Sequence, residues 1–183
     1  MSEAEREERL EDIEYWWSGG FQGAFAAESR AEFLEAKLYE VVKRVLLAMP
    51  EEDFEVFLLL RPQIVCQPLA VHGAIWRYAI PVMPGMKEAI VRVVYFTPAF
   101  GKWSADRLTR LVAHEFAHLV LGHDSPHVTG HGDIHAEEAT DRKSESWGFR
   151  AAYSRKERQE LADHHRQDKA GRSRTRTRGP RRA

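Results

Sequence analysis

The sequence predicts an α+β protein in which helices enclose a small sheet of three to four strands, and three observations favour that class. Between residues 30 and 49, apolar side chains recur at helical spacing behind a Ser-x-x-Glu capping box. Between residues 63 and 96, three short segments are rich in β-branched and aromatic residues and are bounded by proline or glycine. Between residues 104 and 121, a second apolar stripe has helical spacing.

The N-terminal part of the chain is predicted to be helical. Residues 2–17 read as a charged helix with a thin apolar stripe, and Ser18-Gly19-Gly20 is predicted to end it, because paired glycines weaken a helix. A core helix follows over about residues 30–49. Pro50 then opens a segment through Leu60 that suits either a short helix or a strand.

The rest of the chain is predicted to supply the sheet and two further helices. The strand segments are Gln63–Cys66, Ala74–Ile80 and Ala89–Phe96. The next helix covers about residues 104–121, with Ser104 as its N-cap and Gly122 as its stop. A last helix is predicted to begin near Ala136 and to continue through Tyr153.

Charge is distributed unevenly along the chain. From Ser154 onward, 11 Lys and Arg stand against four Asp and Glu, which gives +7, whereas the remaining 16 basic and 24 acidic residues give −8. We therefore predict an acidic N-terminal helical extension over residues 1–28, a folded domain over 29–156 and a basic, disordered tail over 157–183. Such an arginine-rich tail predicts weak, salt-dependent contact with nucleic acid.

The sequence indicates a cytoplasmic protein without membrane association. No run approaches the roughly 18 apolar residues that span a bilayer, and the acidic start from Met1 to Glu8 is unlike a signal peptide. The single cysteine, Cys66, forms no intramolecular disulfide, which agrees with a reducing compartment.

The strongest functional signal is a His-Glu-x-x-His motif that begins at His114. On a helix, His114 and His118 lie roughly 40° apart on one face, so that their two imidazoles can share one metal ion. Glu115 projects from nearly the same face and can accept a proton from a water that the metal activates. Zinc suits this ligand set, and chance predicts only about 0.05 such motifs in a chain of this composition.

A catalytic zinc site needs a third protein ligand, and the candidates lie downstream of the motif. Glu137 and Asp141 are four residues apart on one face of the predicted last helix, so that one acid can bind the metal while the other orients a histidine. His123 is predicted to cap the end of the motif helix, beside the site or on the surface. His131, in a loop rich in glycine and histidine, is the alternative third ligand.

These motifs resemble known zinc peptidases. The His-Glu-x-x-His sequence followed by Glu137-x-x-x-Asp141 resembles the thermolysin-like enzymes, or gluzincins, and the segment His114–His123 resembles the small cytoplasmic peptidases of the ImmA/IrrE type. The resemblance covers about residues 88–150. Thr140 and Ser144 depart from it, because such helices usually carry small apolar residues there.

The resemblance implies a zincin-like minimal metallopeptidase domain in which a small sheet shelters the motif helix and an edge strand binds extended substrate. The roles that it implies are zinc ligands at His114, His118 and Glu137, a general base at Glu115, and at Asp141 a carboxylate that orients a ligand histidine. On this basis we predict a zinc-dependent metallopeptidase with one Zn²⁺ per chain, which hydrolyses peptide bonds in a protein or peptide substrate through a zinc-activated water. Tyr153, His127 or His131 is predicted to stabilise the oxyanion.

Two alternatives stay open at this point. Gly130-His131-Gly132 resembles the loop that carries the third ligand in SprT-type proteases. With His131 as a ligand, the chain would be a DNA-associated protease, and the basic tail would suit that role. The second alternative is a catalytically silent, metal-binding regulatory protein.

Overall fold

The computed structural model describes residues 1–22, 31–66, 73–80, 89–96, 98–123 and 134–152. The helices are α1 (Glu3–Gly20), α2 (Ala31–Ala48), α3 (Glu51–Leu60), α4 (Ala105–Val120) and α5 (Ile134–Ser146). The strands are β1 (Phe21–Gln22), β2 (Gln63–Cys66), β3 (Gly73–Ile80) and β4 (Ala89–Phe96), and a 3₁₀ turn, Pro98–Lys102, precedes α4. The α+β class is confirmed, and the described part of the chain is mostly helical. No helix within it is long and apolar enough to cross a membrane.

The strands form one mixed sheet in the order β1-β2-β4-β3. β1, β2 and β4 are parallel, whereas β3 pairs antiparallel with β4 and lies at one edge. The three predicted strands are thus present, and the register of β3 runs from Gly73 opposite Phe96 to Ile80 opposite Ala89. β1 was not predicted, because two residues are too short to carry an alternating pattern.

Two helices form the centre of the core, with α4 packed between α2, α3, α5 and the edge strand β3. α2 buries an apolar stripe in which Leu38, Val42 and Leu46 are fully buried, and α4 opposes it with its own buried apolar residues. α1 joins the same core through Ile13 and Trp16. The core therefore encloses most of the motif helix.

The structure shows a later end for the first helix than predicted, and it decides whether the segment after Pro50 is a helix or a strand. α1 continues through Gly20 instead of ending at Ser18-Gly19-Gly20, since its last turns are fixed by Trp16, whose Nε1 donates to the carbonyl of Pro62 at 3.1 Å. Tertiary packing here outweighs the roughly 1 kcal/mol that each glycine costs a helix. The segment after Pro50 is a helix, in which Phe54 and Phe57 lie one turn apart and are both buried.

α5 ends at Ser146, so the predicted continuation through Trp147 is wrong. Gly148 adopts a left-handed conformation, with φ +90°, and the backbone N–H of Phe149 donates back to the carbonyl of Ser144 at 3.1 Å. This turn closes the helix before Trp147. Tyr153, through which the helix was predicted to continue, lies outside the described residues.

The start of α4 is fixed by its own N-cap and by α2. Ser104 accepts a hydrogen bond from the backbone N–H of Arg107 at 3.2 Å, as predicted for an N-cap. The ammonium group of Lys37 on α2 donates to the carbonyls of Phe100, Gly101 and Trp103 at 2.6–3.3 Å. Hydrogen bonds from α2 therefore hold the segment just before the motif helix in place.

The end of α4 is a glycine turn, as the sequence predicts. Gly122 has φ +68°, its N–H donates to Leu119 and the N–H of His123 donates to the carbonyl of His118 at 3.0 Å. This pair of bonds is the Schellman arrangement, and it folds His123 back over the last turn.

Gly122→Ala is expected to lower the free energy of unfolding by about 1–2 kcal/mol, because an L-residue is strained in the left-handed region. A Cβ at this position would meet no atom within 4 Å, so backbone strain alone is tested. Gly19→Ala, in an equally open position on α1, is the control and should not destabilise the protein. Urea unfolding of both variants measures the difference, and equal stabilities would contradict the assignment of strain to Gly122.

Candidate metal centre

α4 and α5 bring two histidines and one glutamate to a common point. The Nε2 atoms of His114 and His118 lie 3.2 Å apart. Glu137, from the first turn of α5, places one carboxylate oxygen 3.1 Å from Nε2 of His114 and the other 3.6 Å from Nε2 of His118. One potential ligand atom from each of the three residues lies within 4.8 Å of the other two, so the group could hold a metal ion.

His114 is held by carboxylates on both ring nitrogens. Its Nδ1 donates to Oδ1 of Asp141 at 3.0 Å, and its Nε2 donates to Glu137. Burial disfavours the imidazolium, but the hydrogen bonds to Asp141 and Glu137 outweigh it and raise the pKa of His114 to about 10. A metal ion has to displace the Nε2 proton before it can bind this nitrogen.

Glu137 is a strongly acidic carboxylate in this setting. Burial alone would raise the pKa of Glu137, yet the hydrogen bond from His114 at 3.1 Å and the closeness of His118, 3.6 Å away, hold it well below its usual range. The side chain is one-third exposed, so the carboxylate is partly in contact with solvent. An ionised carboxylate that faces two imidazoles is ready to serve as a metal ligand.

His118 is oriented through its other nitrogen. Nδ1 of His118 lies 3.0 Å from the hydroxyl of Thr140 on α5 and 3.1 Å from Nδ1 of His123. The Thr140 side chain is completely buried, and its hydroxyl donates to the carbonyl of Ala136 at 2.8 Å. His123, which the sequence placed at the end of the motif helix, therefore lies directly beside one histidine of the candidate metal-binding group.

Glu115 lies in the interior beside the three converging side chains. It is only 6% exposed, and burial raises the pKa of its carboxyl group, while the charges of His114 and His118 act in the opposite direction. A carboxyl group whose pKa is moved upward is better matched to proton transfer near neutral pH than an exposed glutamate is.

The helix that carries Glu137 is braced against α3 by a buried acid. Asp53, 7% exposed, accepts a hydrogen bond from Nε1 of Trp147 at 2.8 Å and forms an ion pair with the ammonium of Lys143 at 2.7 Å. Both partners lie at the C-terminal end of α5 and just beyond it. This brace fixes the helix at the end opposite Glu137.

The structure brings together five of the residues that the sequence singled out: His114, Glu115, His118, Glu137 and Asp141. The alternative ligand His131 and the oxyanion candidates His127 and Tyr153 lie outside the described residues, as does the tail over 157–183. Sequence reasoning missed Thr140 as a partner of His118. Its signal was present, because Thr140 is three residues after Glu137 and so shares its helix face.

The three converging groups suit zinc in both chemistry and spacing. Two imidazole nitrogens and one carboxylate oxygen, with one position left for water, form a typical catalytic zinc set. In a tetrahedron with metal–ligand bonds of 2.0–2.1 Å, neighbouring ligand atoms are about 3.3–3.4 Å apart. The two Nε2 atoms, 3.2 Å apart, and the 3.1 Å from Nε2 of His114 to one carboxylate oxygen of Glu137 lie close to that value, and the other carboxylate oxygen is 3.6 Å from Nε2 of His118.

Comparison of the chain with protein-family models, with curated proteins and with solved structures gave no match.

Proposed function

We propose that this protein is a zinc-dependent metallopeptidase of the gluzincin type, in which His114, His118 and Glu137 hold the ion and Glu115 is the general base. The observation that carries the proposal is the convergence of two Nε2 atoms and one carboxylate at 3.1–3.6 Å, next to a buried glutamate that is not needed as a ligand. A purely structural zinc site would be closed by four protein ligands. Among the described residues the group offers three ligands, which leaves one position for a reactant.

We assign each group in the site a role from its contacts. When bound, a zinc ion acidifies water to a pKa of about 7 and polarises a peptide carbonyl. Glu115 accepts the proton of the attacking water on its carboxylate and returns it to the leaving amine. Asp141 keeps the His114 ring in place through Nδ1, which leaves Nε2 for the metal.

The edge of the sheet supports a protein or peptide as the substrate. Within the described residues β3 is an edge strand that pairs with β4 on one side, and it lies against α4. An extended peptide can add to such an edge through main-chain hydrogen bonds, which recognise a backbone without demanding one sequence. In this proposal, residues 29–156 are the metallopeptidase domain.

Zinc binding tests the proposal first. Equilibrium dialysis is expected to find one zinc ion per chain, and His118→Ala should lose it, because only one imidazole and one carboxylate would remain. His135→Ala is the matched control, since His135 lies on α5 with an 87% exposed side chain and should leave the stoichiometry unchanged. Chelation should abolish hydrolysis of an unfolded protein, and added zinc should restore it. A wild-type chain that binds no zinc at micromolar concentrations would overturn the proposal.

A further inference from the structure

We propose that Thr140 is a positioning residue that fixes the ring of His118 in the tautomer whose Nε2 lone pair faces the metal. The inference deepens the proposed zinc site and rests on it. Thr140 stands where the resemblance to gluzincins leads one to expect a small apolar residue, and it is fully buried against the motif helix.

The direction of the hydrogen bonds follows from what each group can donate. The hydroxyl of Thr140 has one hydrogen, and the carbonyl of Ala136, 2.8 Å away, can only accept. With that hydrogen donated to Ala136, the hydroxyl oxygen can only accept from Nδ1 of His118 at 3.0 Å. A neutral imidazole that carries its proton on Nδ1 keeps the lone pair of Nε2 free.

α5 orients both ligand histidines with adjacent residues. Asp141 accepts from Nδ1 of His114 at 3.0 Å, and Thr140 accepts from Nδ1 of His118 at the same distance. Glu137, the third ligand, is three and four residues earlier on the same helix face. One helix face thus supplies a ligand and two orienting groups, a carboxylate for one histidine and a neutral hydroxyl for the other.

His123 contacts the same hydroxyl. The glycine turn at the end of α4 returns His123 over His118, and Nδ1 of His123 lies 3.2 Å from the oxygen of Thr140. With Nδ1 of His118 protonated, Nδ1 of His123 either accepts from it at 3.1 Å or donates to the Thr140 oxygen, depending on the tautomer of His123. Loss of the hydroxyl would therefore remove a polar atom that both imidazoles contact.

The test compares zinc affinities of four proteins by competition with a chromophoric chelator. Thr140→Val keeps the shape of the side chain and is expected to weaken zinc binding about 10- to 100-fold, as the loss of an outer hydrogen-bond partner typically does. Thr140→Ser keeps the hydroxyl, so its zinc affinity should stay within about threefold of the wild-type value, well short of the loss expected for Thr140→Val. Thr109→Val is the matched control, because Thr109 is also buried and donates to the carbonyl four residues earlier, Ala105, at 2.7 Å. It should bind zinc as the wild type does.

Nitrogen-15 spectra of the histidine rings in the metal-free proteins provide a readout that does not need zinc. Nδ1 of His118 is expected to carry the proton in the wild type and in Thr140→Ser. In Thr140→Val, we expect a mixture of the Nδ1 and Nε2 tautomers of His118. Wild-type affinity in Thr140→Val, equal losses in the serine and valine variants, or an Nε2-protonated His118 in the wild type would each overturn this inference. If the wild type shows the Nδ1 tautomer but binds no zinc, the proposed function fails and the hydrogen-bond arrangement stands.

Discussion

Glu115→Gln is expected to lower the rate of peptide hydrolysis by about 10²- to 10⁴-fold, the usual contribution of a general base, while one zinc ion per chain stays bound. Glutamine has nearly the shape of glutamate but cannot accept and return a proton. None of the three converging ligand atoms belongs to Glu115, so the metal site itself is unchanged. The rate on an unfolded protein and the zinc content of the same sample are the two measurements.

The folded state should tolerate this change. Glu115 is 6% exposed, and burial disfavours its carboxylate, so that a neutral amide of the same size removes a desolvation cost. We therefore expect the metal-free variant to melt at the wild-type temperature or above it. Loss of activity then reports on chemistry and not on unfolding.

Glu138→Gln is the control for this experiment. Glu138 lies on α5 beside Glu137, with an exposed side chain, and its substitution should leave the rate unchanged. Equal rates for Glu115→Gln and the wild type would refute the general-base role. A wild-type chain that binds zinc but hydrolyses nothing would favour the silent metal-binding alternative.

The parts of the site that the sequence predicts are those set by helix periodicity. Two histidines four residues apart must share a helix face, and so must Glu137 and Asp141. The ends of α4 are equally local, because Ser104 and Gly122 are typical capping residues and both act as predicted. These features need no information about the rest of the chain.

The parts that the sequence does not predict depend on contacts between distant segments. Asp53 reads as the start of a short helix, yet it braces α5 through a residue 94 positions away, Trp147. Thr140 reads as a polar departure from a family pattern, and only the packing of α5 on α4 brings it to His118. Local propensity is a weak guide wherever tertiary packing decides, as at the extended end of α1.

A graded series of substitutions would test which residue is the third zinc ligand. Glu137→Ala is expected to weaken zinc binding by more than about 100-fold, because it removes a ligand and not merely a partner of one. Asp141→Asn should cost less, about 10- to 100-fold, since the histidine that it orients remains. Glu137 already lies 3.1 Å from the His114 nitrogen that would bind the metal, which is the reason to expect this order.

His131→Ala completes the series and decides between the two kinds of protease. If Glu137 is the ligand, His131→Ala should leave zinc affinity within about twofold of the wild-type value. This change is smaller than the loss expected when a residue that only hydrogen-bonds a ligand is removed. The reverse result, with His131→Ala as the larger loss, would contradict the gluzincin arrangement and favour the loop-histidine type. The two arrangements therefore predict opposite orders for the same pair of measurements.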